Sequence, residues 1–393
     1  MTRKSRIAIL AFSLTATLAC WLAGCSAPVP EVTDTAERGN ALLKKVTFDA
    51  CPQTQEADWD AMLSAFKKSC TRIAGSPSWK AVCSKAQHYV GSSREFFQSN
   101  FDLWRVTAVD TRGHEQETGL MTGYYEPELE GSLTRSKAFS VPLLSPPDDL
   151  ITLDVSRFDT ALAKTNFKGK VVSRRFVPYD ARGAIEARRD LTRFALCWVQ
   201  DPVDAFFLQV QGSGRIRLTN GEVLRLAYAD NNGRPYRAVA NWLTQNTSLK
   251  PSQMSMERIR AWARENPTRV RELLDYNERY IFFQERKDLA REEGPVGSLG
   301  VPVTPRVSVA VDSRIWPLGL PFIVKVQQAA PTLSFVRPVI AQDTGSAIRG
   351  ALRFDYFWGS GDTAGQAAGS QKSAVKAWAL FPKGSNPSAF SAR

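Results

Sequence analysis

The sequence predicts a mainly β protein with helices near its N-terminus, an α+β chain whose strands fall into two groups. Three observations carry this. Between Trp59 and Tyr89 the apolar residues recur at helical spacing. Between Val171 and Ala229 short apolar runs alternate and are broken by Gly and Asn-Gly turns. Beyond Gly294, β-rich runs punctuated by Pro and Gly return and fit a small barrel.

Taken in order, Arg3, Lys4 and Arg6 precede a short apolar run, Ile7 to Leu22, which reads as a secretory leader. It is brief for a membrane span. Leu22-Ala23-Gly24-Cys25 then has the form of a bacterial lipobox, with Cys25 as the lipidated residue and Ser26 pointing to the outer membrane. The Pro-, Thr- and Glu-containing stretch after it, taken as 26–45, reads as a tether. Trp59, Met62, Leu63, Phe66, Cys70 and Ile73 mark a first helix ended by Gly75. Ser78 is placed to cap a second, carrying Trp79, Val82, Cys83, Ala86 and Tyr89, and Ser92 or Ser93 starts a third. Leu103 to Val109 alternates as a strand. Gly119 to Pro127 (GLMTGYYEP) is another, with Tyr124 and Tyr125 either a sugar-stacking wall or, equally, one Tyr packed in the core beside a surface Glu126.

The Pro-rich run from Pro142 to Asp149 reads as a crossing between domains. Val171 to Val177 reads as one strand. Phe206, Leu208 and Val210 alternate and open a β-meander whose later strands flank Asn220-Gly221. Gln211 and Ser213 there are neutral groups suited to a glycan. Met256 to Glu265 and Thr268 to Tyr276 are short helices parted by Asn266-Pro267. Val307 to Val311, Phe322 to Val326, Phe335 to Ala341 and Ala377 to Phe381 are the late strands.

The 393 residues suffice for two domains, and 43% hydrophobic content suffices for real cores. The formal charge of +12 falls to +9 without the three basic residues of the leader, which favours an anionic partner. At this address nucleic acid is not a candidate. Two His and no close Cys pair argue against a metal site. Cys70 and Cys83 lie at similar distances from the turn at Gly75-Ser76-Pro77, which predicts a Cys70–Cys83 disulfide. Cys197 falls in an apolar run and reads as buried and free.

The chemistry concentrates between Gln342 and Gly369, where Asp343, Asp355 and Asp362 lie among glycines. Phe354, Tyr356, Phe357 and Trp358 surround Asp355. Removing water from a carboxyl raises its pKa, and a carboxyl protonated near neutrality can act as a general acid. The competing reading is that such aspartates are turn residues.

The GYYEP segment, VQGSG at Val210–Gly214, SRIWPLGLP at Ser313–Pro321 and QDTG…IRG…FDYFWGSG at Gln342–Gly361 follow Cys25 in a set order. On these motifs the chain resembles the membrane-bound lytic murein transglycosylase A family over nearly its whole mature length. The resemblance implies a double-psi β-barrel with an inserted β-rich domain and a groove between them. In numbers, 1–25 is the leader, 46–125 and 278–393 form the barrel with its N-terminal helices, and 126–277 is the insert.

The resemblance also implies cleavage of the MurNAc–GlcNAc β-1,4 bond of peptidoglycan without water. Asp355 is then the catalytic acid. Asp343, Asp362, Gln342, Tyr124, Tyr125, Gln211 and Ser213 support it or bind substrate. No cofactor is needed. The implied setting is a lipid-anchored protein on the periplasmic face of a Gram-negative outer membrane. Glycan strands are the partner, and wall-synthesis proteins are further candidates. The alternative is a non-catalytic peptidoglycan-binding lipoprotein on the same barrel. Asp343-Thr344-Gly345-Ser346 also matches the short aspartic-protease motif, but the second D-T-G such a site needs is missing.

Overall fold

The computed structural model describes residues 35–390, apart from 159–165 and 291. The leader, Cys25 and the start of the tether lie outside the described residues. The tether reading fails from Thr35 onward. Strands β1 (Thr35–Arg38) and β2 (Ala41–Val46) form a hairpin, and β2 pairs with β3 (Phe101–Val109). Ala41 and Leu43 are buried there, in a pattern too short to stand out in the sequence.

Helices α1 (Glu56–Ile73), α2 (Pro77–His88) and α3 (Ser93–Asn100) follow. The first two bury their predicted faces: Trp59, Phe66 and Trp79, together with Phe96 of α3, join one large core with the barrel strands. Ser76, not Ser78, precedes α2, because Pro77 takes the first helical position, where its missing N–H costs nothing. Ser92 caps α3 by accepting from the Glu95 amide. A Cys70–Cys83 disulfide joins α1 to α2. Cys197 is buried and free.

After β3 come β4 (Glu115–Gln116), β5 (Gly119–Glu126), β6 (Glu128–Ser132), β7 (Val141–Leu144) and β8 (Ile151–Asp154). The Pro142 segment is thus a strand and not a crossing: Leu143 and Leu144 are buried, and Pro142 is tolerated because β7 is an edge. The single strand predicted at Val171–Val177 is a hairpin, β9 (Asn166–Val172) and β10 (Arg175–Pro178). Ser173 and Arg174 turn it with positive φ, which the sequence gives no Gly or Asn to announce. Next are α4 (Arg182–Ala187), β11 (Ala195–Val199) and α5 (Pro202–Gln211).

The strand predicted at Phe206–Val210 is therefore α5. Asp201 caps it by accepting from the amides of Val203 and Asp204, and Gly212 ends it at φ 81°. Ala205 and Leu208 pack on the sheet below, while Val203, Phe206 and Phe207 pack on helices above. Burial on both sides erased the helical period.

The chain continues through β12 (Ser213–Leu218), β13 (Val223–Asn231), α6 (Val239–Asn246), α7 (Met256–Glu265), α8 (Val270–Asp275) and β14 (Ile281–Glu285). It ends with β15 (Ser308–Val311), β16 (Pro321–Gln328), β17 (Leu333–Thr344), β18 (Arg353–Ser360), α9 (Gly361–Ser370) and β19 (Lys372–Pro382).

Six strands close a barrel in the order β19-β16-β17-β15-β18-β5, with β5 returning to pair with β19. Two of its pairings, β15–β17 and β18–β5, are parallel. A second sheet runs β14-β13-β12-β6-β11-β7, and a third runs β10-β9-β8. Because β14 pairs with β13, the chain leaves the second sheet only after Glu285. The predicted return at 278 comes too early, since the strand signal at Ile281–Phe283 does not say which sheet it joins.

Candidate active site

A cleft of about 650 Å³ runs along the barrel wall and is also lined by α5, β13 and the loop before β14. Asp343, Asp355 and Tyr124 face it from the barrel, and Gln211 and Ser213 from the far side.

Strand geometry sets this up. Asp343 on β17 and Asp355 on β18 are both register partners of Ala310 on β15, which lies between them. A regular pleat would not put Asp343 there. The β15–β17 register slips between Val309 and Ala310, so one residue, Gln342, is extra. Such bulges re-aim the side chains beside them. Gln342 itself is fully buried: its amide donates to the Ala65 carbonyl and the Ser69 hydroxyl on α1, and its oxygen accepts from Ser308. Gln342 was expected to support the acid or bind substrate; fully buried, it anchors the bulge beside Asp343 and does not line the cleft.

Asp355 accepts one side-chain hydrogen bond, from the Thr122 hydroxyl at 2.6 Å. Arg353 donates to that same hydroxyl oxygen at 3.0 Å. Burial pushes the Asp355 carboxyl up to about 6; Thr122 and Arg353 oppose the rise, and the neighbouring Asp343 adds to it. Asp343 is also raised by burial, although one of its oxygens accepts from the Ser298 amide and hydroxyl, both at 2.9 Å, and from the Thr344 amide at 2.8 Å. The Tyr124 hydroxyl is buried against Asp343, coupled to it electrostatically but outside normal hydrogen-bond geometry. Burial and the two aspartates hold that phenol well above its ordinary range, so it stays a neutral donor.

Other expected residues are not brought together here. Tyr125 points to the opposite side of β5 and packs its ring on Ala364 and Ala368 of α9. Asp362 lies exposed in the first turn of α9, outside the cleft. Three residues of the site were missed. Thr122 was legible: it stands two residues before Tyr124, so a strand shows both on one face and Tyr125 on the other. Ser298 comes from an irregular loop with no sequence signal. One of the two readings of GYYEP left Glu126 at the surface, yet it is buried and bound by Arg215 at 2.7 Å, Arg225 at 3.2 Å and Ser360 at 2.8 Å.

A closed six-stranded barrel opened after β5 by a β-rich insertion, with two aspartates on the wall facing a cleft, defines the class of barrel. Residues 120–284 match the MltA specific insert domain, and residues 307–381 match the 3D domain. The crystal structure of MltA from Neisseria gonorrhoeae is 35% identical, covers 91% of this chain and 97% of its own, and superposes with a TM-score of 0.78. Escherichia coli MltA with bound chitohexaose is 25% identical, covers 89% of this chain and 96% of its own, and has a TM-score of 0.66. The membrane-bound lytic murein transglycosylase A of E. coli K12 is 28% identical over 334 residues, 82% of this chain and 81% of its own. The chain belongs to the membrane-bound lytic murein transglycosylase A family.

Proposed function

We propose that this protein is a peptidoglycan lytic transglycosylase that cleaves the MurNAc–GlcNAc β-1,4 bond and leaves 1,6-anhydro-MurNAc ends. The observation that carries the reading is Asp355: a carboxyl on the cleft wall, raised to about 6, with a single hydroxyl donor. Protonated Asp355 gives its proton to the glycosidic oxygen as the C1–O bond breaks, and GlcNAc leaves with a free 4-hydroxyl. The carboxylate then takes the proton of the MurNAc C6 hydroxyl while that oxygen bonds to C1. The nucleophile belongs to the substrate, so no second base is needed to activate water. Asp343 raises the cost of ionising Asp355 and so keeps the acid loaded. Gln211 and Ser213 offer neutral donors and acceptors to sugar hydroxyls, and a relative with bound chitohexaose supports a glycan in this cleft.

The lipobox at Cys25 supports a lipid-anchored form facing the periplasm from the outer membrane. We assign the barrel to the helices, β5 and the strands after β14, with the substrate-binding insert between.

The test is mass spectrometry of sacculi digested by the mature protein and by Asp355→Asn. Anhydro-muropeptides from the unaltered protein alone are expected. Reducing ends would mean hydrolysis and would overturn the intramolecular step. Glycan binding without products from either protein would leave a binding module.

A further inference from the structure

The sheet β8-β9-β10 is built inside out. Its registers set Ile151 opposite Gly169, Leu153 opposite Phe167, and Phe176 opposite Val171. With a period of two, these six residues share one face. Phe176 lies over Gly169, where a Cβ would meet its ring at 2.5 Å. That apolar face looks outward, with Val171 59% and Phe167 51% exposed. The other face carries Lys168 and Lys170 and is turned to the body of the insert. Lys168 pairs with Asp230 and Lys170 with Asp180, both at 2.7 Å. Sheets with one wet face ordinarily do the reverse. Contiguous exposed apolar surface of this kind marks a contact.

The charge says with what. Residues 166–178 hold four basic side chains and no acidic one, and β8 adds a single acidic residue, Asp154, at its end. Two of these are the paired lysines. The other two, Arg174 in the turn and Arg175, which pairs with the exposed Val172 on the face opposite Phe176, stand exposed at the hairpin tip with no ion pair among the described residues. An open apolar face with cationic groups at its tip suits a deformable apolar medium with a negative surface.

We propose that the β8-β9-β10 sheet is a membrane-docking face that lays its apolar side into the headgroup boundary of an anionic lipid surface, with Arg174 and Arg175 on the phosphates. Binding of this type adds buried apolar area to electrostatic attraction. Guanidinium groups suit phosphate oxygens. The face would be a second attachment besides acyl chains on Cys25.

The experiment uses the processed chain from Ser26 without acyl groups, sedimented with vesicles of phosphatidylcholine alone or mixed with phosphatidylglycerol. Two variants accompany it: Arg174→Glu with Arg175→Glu, and Phe167→Ser with Val171→Ser. None of these residues lies in the cleft, so all proteins should cleave solubilised glycan chains equally, which also reports folding. The unaltered chain should bind the mixed vesicles, less so in high salt, and each variant about tenfold more weakly or worse. No binding by the unaltered chain, or undiminished binding by both variants, overturns the proposal. So does a dimer in analytical ultracentrifugation that Phe167→Ser with Val171→Ser abolishes, since a second copy would then cover the face.

Discussion

Among the described residues Thr122 makes the one side-chain hydrogen bond to Asp355, and that bond favours the ionised form. Thr122→Val should therefore raise the carboxyl further above about 6. A general acid works while protonated, so cleavage by the unaltered enzyme should decline as pH climbs through about 6. In Thr122→Val that decline should move to higher pH, which a pH–rate profile reads directly. The same carboxyl has a stability consequence of opposite sense to most aspartates. Its folded-state pKa lies above the unfolded value, so the folded protein holds more proton between pH 3.8 and about 6. Stability contributed by this group is present below that window and lost across it. Asp355→Asn should accordingly unfold at higher urea than the parent at neutral pH, by on the order of 3 kcal/mol, and show little of that gain near pH 4. The aspartate stood out as a carboxyl among aromatics, but on β18 Phe354 and Tyr356 alternate onto the opposite face and join the barrel core rather than surrounding it. Gln342 and Asp362 do not line the cleft, because proximity in sequence to Asp355 does not fix the face: a bulge buries the first, and the start of α9 carries the second away.

At the scale of elements, the packing of α9 on β5 depends on closeness. A Cβ on Gly123 would come within 2.7 Å of Trp358 and 2.8 Å of the Ala368 backbone on α9. Gly123→Ala should push the helix off the strand that carries Thr122 and Tyr124. Activity and thermal stability should fall together, checked by sacculus cleavage and a melting curve. The α1–α2 bridge acts elsewhere. Cys70 and Cys83 are 13 residues apart, and Cys83→Ala should cost about 3 kcal/mol in denaturant unfolding. The α1 and α2 stripes were readable because each has one wet side. Helix α5 was not, because it is apolar toward sheet and helices alike, and only its caps, Asp201 and Gly212, distinguished it from a strand.

Over the whole molecule, Glu126 ties the barrel to the insert. It sits where β5 leaves the barrel and binds Arg215 on β12, Arg225 on β13 and Ser360 on β18. Glu126→Ala would strand Arg225, which is 7% exposed, without its partner. Breaking a buried pair from one side costs about 3–5 kcal/mol, measurable as a shift in the urea midpoint. The two groups of strands were visible in the sequence, but their partition was not, since β14 resembles the strands after it and belongs with those before. The long excursion between β5 and its barrel neighbours has a consequence in time. Thr122 pairs with Asp355 across 233 residues, and β5 also waits for β19, the last strand. A chain made from its N-terminus cannot bring Thr122 and Asp355 together until nearly all of it has emerged, and such distant pairings form slowly. On the proposed reading, a half-made copy therefore has no acid in place, and cleavage waits for the last strands of the barrel.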